Sequence, residues 1–457
     1  MNQHVPVSTD HGVLSDALAY AARYLDGLDS RPVAPPPEAI ARLRGLGGAL
    51  PDGPTDPREV LALLDGLGSP ATVASAGPRY FGYVIGGALP ATVGANWLAT
   101  AWDQCGGLRA ISPTVCAIEE IVVGWLSELL GLPSGCASAF VTGASMASFT
   151  ALAAARHAVL ARADWDVQSK GLYGAPPIRI VVGEEVHVTV LKALGLLGLG
   201  RDTAIRVPVD GQGRMRADAL PPLDERTILC LQAGNVNTGA FDPAAEICAK
   251  AREAGAWTHV DGAFGLWAAA APERKYLMAG FELADSWATD GHKQLNTPYD
   301  CGIALVRHPE ALRDAMAATA AYLAAGEERE PTHYGPELSR RGRAVEVWAA
   351  LRSLGRSGVA ELVERCCRLA ERFAEGLRAA GFEVLNEVVF NQVLVSFGAP
   401  ERTQAVIAAL QAEGTAWFGG SVWQGRTVMR ISVSNWSTTE RDVDLALDAI
   451  RRVAASV

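Results

Sequence analysis

Trp257-Thr258-His259-Val260-Asp261-Gly262 and Ser286-Trp287-Ala288-Thr289-Asp290-Gly291-His292-Lys293 decide how this chain folds. Each is a short apolar run that ends in a charge, the carboxylate of Asp261 in the first and the amine of Lys293 in the second. Short apolar runs rich in β-branched or aromatic residues and bounded by turn residues predict buried strands. Working outward, runs of the same kind occupy residues 138–141, 178–182, 204–207, 228–232 and 302–306. Helix-length segments separate most of them, which predicts an α/β fold around a seven-stranded, mostly parallel sheet covered on both faces. In such sheets ligands bind in the crevice beyond the carboxyl ends of the strands, so Asp261 and Lys293 are expected to face one crevice.

The flanks read differently. Residues 1–76 hold apolar helical periodicity at 13–25 and 57–67 around a proline-rich link, which predicts an N-terminal helical arm. The large α/β domain then spans 77–340. A long helical pattern at 344–380, strand-like runs at 382–385, 393–397 and 427–433, and two more helical segments predict a small C-terminal α+β domain at 341–457.

Composition excludes several classes of function. The net charge of -10 and the lack of any Lys/Arg-rich run argue against nucleic acid as a partner. Eight cysteines without a CxxC pair predict reduced core thiols and a cytoplasmic setting, and residues 1–10 lack the basic start and apolar core of a secretory signal. Tyr83 to Trp102 is uncharged and long enough to span a bilayer, but Gly86, Gly87, Pro90, Gly94 and Asn96 interrupt it. It is expected to be a buried loop and helix, covered partly by a second chain. No HExxH, GxSxG or P-loop occurs, so no metal site or serine nucleophile is expected.

Four constellations carry chemistry. Lys293, at a strand end, can serve as a nucleophilic amine; a surface lysine is the plain alternative. Asp261 ends an apolar run, where a carboxylate needs a partner, though it could also cap the next turn. Thr142-Gly143-Ala144-Ser145 follows a strand and opens a helix whose amides suit a phosphate, or Ser145 simply caps that helix. His187 starts another helix one strand further on, either as a cap or as a ring able to stack on an aromatic cofactor. Pyridoxal phosphate (PLP) is the cofactor that uses a lysine amine and a carboxylate together, the amine as a Schiff base and the carboxylate on its ring nitrogen.

In this order, Ala233-Gly234-Asn235-Val236-Asn237-Thr238-Gly239-Ala240-Phe241-Asp242, His259-Val260-Asp261-Gly262-Ala263 and Asp290-Gly291-His292-Lys293 resemble the PLP-dependent group II amino acid decarboxylases, from about Pro78 to Trp436. The resemblance implies the fold type I of PLP enzymes and a homodimer. It implies that Lys293 carries the cofactor, that Asp261 binds the pyridine nitrogen and that His187 stacks on the ring. Ala144, Ser145, Asn235, Ala263 and His292 would complete the cofactor contacts. Arg79, Tyr80, Phe81 and Tyr83 would form a substrate wall, and Tyr334 would lie in an exposed catalytic loop as proton donor. The implied reaction is decarboxylation of an L-amino acid to its amine. An apolar or aromatic side chain is favoured, because Arg79 and Arg109 are the only arginines that stand out for a second carboxylate. An aldehyde-forming oxidative decarboxylase, an aldolase-like lyase, an aminotransferase and a catalytically silent scaffold stay open as alternatives.

Overall fold

The computed structural model describes residues 11–318 and 329–457. The secretory-signal expectation for 1–10 and the 326–328 part of the Tyr334 loop lie outside them.

The strands form where the apolar runs predicted them, to within a residue: β1 (Ala137–Val141), β2 (Arg179–Gly183), β3 (Ile205–Val207), β4 (Thr227–Gln232), β5 (Trp257–Asp261), β6 (Ser286–Asp290) and β7 (Gly302–Val306). They make one sheet in the order β1-β7-β6-β5-β4-β2-β3. All pairings are parallel except those of β7, which runs antiparallel to β1 and β6. The β6–β7 link explains that reversal, since a parallel crossover takes about a dozen residues or more. The short link also holds Lys293 between two neighbouring strand ends.

Every residue of β1, β5, β6 and β7 is buried, as a sheet covered on both faces requires. The helix Ala144–Ala161 packs across β5, β6 and β7 on a face of small residues, including Ala147, Ala151 and Ala154. Its start is pressed onto β7: a Cβ added to Gly302 would lie 2.2 Å from the carbonyl carbon of Gly143. Any larger residue at 302 would push the helix start away from the crevice.

The smaller unit is an antiparallel sheet of β8 (Glu383–Val384), β9 (Gln392–Ser396), β10 (Gly419–Trp423) and β11 (Arg426–Ser432), in the order β10-β11-β9-β8. The helices Ala344–Ala379, Pro400–Glu413 and Glu440–Ser456 accompany it. Phe81 belongs to its core: the ring is 1% exposed and packs against Phe373 and Phe418. The Phe81 amide donates to the carbonyl of Trp417, and its carbonyl accepts from Ser432. Residues 79–81 are thus laced onto the small unit, and Phe81 is a packing residue rather than the substrate wall expected of it.

In the arm, Gly12–Asp26 lies on Pro57–Ala71 through the ion pairs Arg23–Asp65 and Arg58–Asp16, and neither helix buries a residue. The uncharged stretch splits in two. Gly86, Gly87 and Leu89 hydrogen-bond through their amides to the carbonyl of His292, the side chain of Asn296 and the carbonyl of Asn296, so this part lies directly on the lysine loop. The helix Pro90–Trp102 that follows buries Thr92 alone and leaves Leu98 55% exposed. Among the described residues no helix is long and apolar enough to cross a membrane.

Candidate active site

The crevice at the carboxyl ends of β5 and β6 gathers Asp261, Asp290, His292 and Lys293. Asp261 is 6% exposed, and its Oδ1 accepts from the Ala263 amide at 3.2 Å. It has no ion pair among the described residues, so one carboxylate oxygen stays available for a donor from a ligand. Buried carboxylates need such a donor. A protonated ring nitrogen supplies one, and the residues present therefore fit PLP.

Lys293 Nζ lies 2.9 Å from Oδ2 of Asp290. Asp290 is 2% exposed. Its Oδ1 accepts from the Ala144 amide, at 2.6 Å, and lies 3.6 Å from Nε2 of His292. Sequence reasoning quoted Asp290 inside a motif but gave it no role. In the structure it is the hub of the lysine loop, and it takes up the Ala144 amide expected to meet the phosphate. The Ser145 hydroxyl has no protein partner among the described residues and remains free for an anion at that helix start.

His292 Nδ1 accepts from the Cys301 amide at 3.1 Å, which puts its proton on Nε2, facing Asp290. Tyr299 stacks on the ring at 4.2 Å. His187 caps the helix Val188–Leu196, with Nδ1 2.7 Å from Oγ1 of Thr189. Burial pulls its pKa down from the ordinary value; Lys293 and Arg430 act the same way, against Asp261 and Asp290. These are the charges of the crevice, so His187 stands among them as a neutral ring at neutral pH.

Four residues with expected roles go elsewhere. Asn235 closes its own loop: Oδ1 accepts from the amides of Asn237 and Thr238, while Nδ2 donates to Glu185. Arg79 donates to the carbonyls of Asp29 and Thr415 and pairs with Asp442, away from the crevice. Arg109 pairs with Glu120. Tyr334 is half-buried beneath Arg329, whose guanidinium lies 4.6 Å from the ring centroid and donates to the Ser138 carbonyl of β1. Pro331 and Thr332 beside it are buried, so this part of the loop is packed along the sheet edge instead of exposed.

Tyr80 lies within electrostatic reach of Tyr83, Tyr299 and Arg430. It stacks on Trp417 at 5.1 Å, and Tyr83 stacks on the same indole at 5.9 Å. Burial, with Tyr83 and Tyr299 beside it, pushes the Tyr80 phenol up to about 12. Next to this stack stands Arg430 on β11, which the sequence reading missed. Its Nη1 donates to the Val236 carbonyl at 3.2 Å, its Nε is buried without a hydrogen bond, and it has no ion pair among the described residues. The signal was present in Val428-Met429-Arg430-Ile431, a lone charge inside an apolar strand.

Comparison with known proteins gives a family match and a fold match. The family model described as the pyridoxal-dependent decarboxylase conserved domain matches residues 65–399. An aromatic-L-amino-acid decarboxylase of Bacillus atrophaeus is 26% identical, over 95% of this chain and 93% of its own. A 4-hydroxyphenylacetaldehyde synthase of Rhodiola rosea is 27% identical, over 99% and 95%. The crystal structure of Oryza sativa TDC with PLP and tryptamine superposes with a TM-score of 0.90 at 22% identity, covering 99% of each chain.

Proposed function

The chain belongs to the pyridoxal-dependent decarboxylase family, PLP-dependent carboxy-lyases, and from that premise we propose that it converts an aromatic L-amino acid into its amine and CO2. PLP, when bound, supplies a conjugated ring that takes up the electron pair released as the bond to the carboxylate breaks. Lys293 holds the cofactor through its amine, and Asp261 keeps the ring nitrogen protonated. His187, neutral through burial, offers a flat face without adding charge. Arg430 holds the substrate carboxylate, and the Tyr80–Trp417–Tyr83 stack receives the side chain. Orientation is the protein's main contribution, because fixing the carboxylate selects which bond can break. The proton that replaces CO2 goes back to the same carbon. Tyr334, packed against β1, has no part in this reading.

The observation that supports the reading is Arg430. A guanidinium held largely out of water is stable only beside an anion, and burial already pulls its pKa down. The aromatic stack next to it favours a flat side chain over an acidic one. The direct test incubates the PLP-loaded protein with L-tyrosine, L-tryptophan, L-phenylalanine, L-glutamate and L-aspartate, and follows CO2, amine and aldehyde. Equimolar CO2 and amine from an aromatic substrate are expected. Preference for an acidic substrate, or aldehyde in place of amine, would overturn the proposal. Arg430→Lys loses the bidentate fork and is expected to raise KM roughly 10- to 100-fold with the cofactor still bound. An unchanged KM would remove Arg430 from the substrate site.

A second copy of the chain completes this reading. Leu14, Leu18, Leu63 and Leu64 of the arm and Trp97 and Leu98 of the helix Pro90–Trp102 are all at least 43% exposed. A soluble chain does not leave so many large apolar side chains in water. We therefore expect a dimer by sedimentation at micromolar concentration, and a monomer there would refute it.

A further inference from the structure

We propose that Glu185 is a positioning residue that sets Arg430 against His187. The inference rests on the reading of Arg430 as the carboxylate-holding group. Glu185 stands two residues before His187 and has no ion pair among the described residues. Its carboxylate accepts three hydrogen bonds from neutral donors. Oε2 takes Nδ2 of Asn235 at 3.0 Å and Nε1 of Trp423 at 3.1 Å, and Oε1 takes Nε2 of Gln424 at 3.1 Å. Its own carbonyl accepts from Nε2 of Gln232 at 3.1 Å, which fastens the loop to the end of β4.

Those donors sit on two different units. Trp423 and Gln424 form the tip of the β10–β11 hairpin, and Arg430 lies further along β11, paired in register with Gly419. Asn235 starts the loop whose next carbonyl, that of Val236, is the hydrogen-bond acceptor given to Arg430. Glu185 thus holds both the hairpin that carries the guanidinium and the loop that orients it, from a position on the backbone of the His187 segment. One further bond joins hairpin and loop, Ser421 Oγ to Oδ1 of Asn237 at 2.8 Å. Gly213 packs closely on the carboxylate: a Cβ added there would lie 2.4 Å from Oε2 of Glu185.

The role is geometric rather than electrostatic. The largest charge effects on His187 come from Asp261, Lys293, Arg430 and Asp290, and the Glu185 carboxylate is held by neutral donors alone. The aromatic stack is also independent of it, since the Trp417 backbone is bonded to Arg79 and Phe81. Loosening Glu185 should therefore disturb recognition of the carboxylate and spare both the aromatic wall and the cofactor.

The test uses PLP-loaded full-length protein, with L-tyrosine as substrate and tyramine as its carboxylate-free counterpart. Glu185→Ala is expected to raise KM for L-tyrosine about tenfold, the scale of coupling between groups in contact. The kcat, the PLP stoichiometry and the inhibition constant for tyramine should stay within about twofold, where a general loss of structure would move them all. Glu185→Gln should restore near-normal KM, because its one oxygen can still accept from both Asn235 and Trp423, while the Gln424 amide stays on the Asp210 carbonyl to which it also donates. If Glu185→Ala does not fold, Trp423→Phe removes one donor alone and should raise KM in the same direction. Arg430→Lys separates the two ideas. If it leaves KM unchanged, the Arg430 reading fails. If it raises KM but its effect adds fully to that of Glu185→Ala, Arg430 stands and the positioning role of Glu185 is overturned. Failure of Glu185→Gln to rescue would also overturn it.

Discussion

Lys293→Ala is expected to abolish covalent retention of the cofactor, so that borohydride no longer fixes PLP to the protein, and to lower turnover by roughly 10³–10⁴-fold. The lysine amine meets Asp290 at the strand end. A packing view alone would leave the fold untouched, since the side chain is partly exposed. The structure corrects that view. Lys293 pairs with Asp290, which is 2% exposed and keeps only the Ala144 amide and His292 once the amine is gone. A buried carboxylate that loses one of its donors costs about 1–3 kcal/mol. Lys293→Ala should therefore lower the Tm of the cofactor-free protein, and adding Asp290→Asn should recover most of the loss. Retained covalent PLP would sink the assignment of Lys293. An unchanged Tm would mean that Asp290 is satisfied without it.

That correction shows what the sequence could and could not express. The seven strands were legible because a strand buried on both faces is written as one continuous apolar run, and Asp261 and Lys293 were legible because each ends or follows such a run. Where a long side chain goes is a different matter. Arg79 sits among aromatic residues in the sequence, yet Asp442 and two carbonyls of remote segments take all of its donors that hydrogen-bond. Asn235 is polar beside a strand end, but both ends of its amide are used to close a loop and reach Glu185. Arg430 was missed for the converse reason. It approaches the crevice from the small unit, and no local pattern connects β11 with the loop after β4. Its mark in the sequence was a charge within an apolar strand, which signals a buried cation without saying what it faces.

Asp261→Asn is expected to keep the cofactor and lose the chemistry. The carboxylate is fixed at one oxygen by the Ala263 amide, 3.2 Å away, and offers the other to the crevice. The asparagine oxygen can still accept from Ala263, so its NH2 must then take the place of the free oxygen. An NH2 there can donate a hydrogen bond but cannot stabilise a positive charge, so it favours the unprotonated pyridine. A bound ring left unprotonated would be a weaker electron sink. Removing one preorganised electrostatic contact of this kind costs roughly 10²–10³-fold in kcat. Shape and polarity are nearly conserved, so PLP should still bind stoichiometrically and remain attached to Lys293. Nitrogen NMR of ring-labelled PLP gives a reading that does not depend on turnover: the ring nitrogen should be protonated in the parent protein and unprotonated in Asp261→Asn at the same pH. A protonated ring nitrogen in the variant, or a kcat near that of the parent, would reduce Asp261 to a residue that merely turns the chain at Gly262, and the source of the ring's proton would have to be found elsewhere in the crevice.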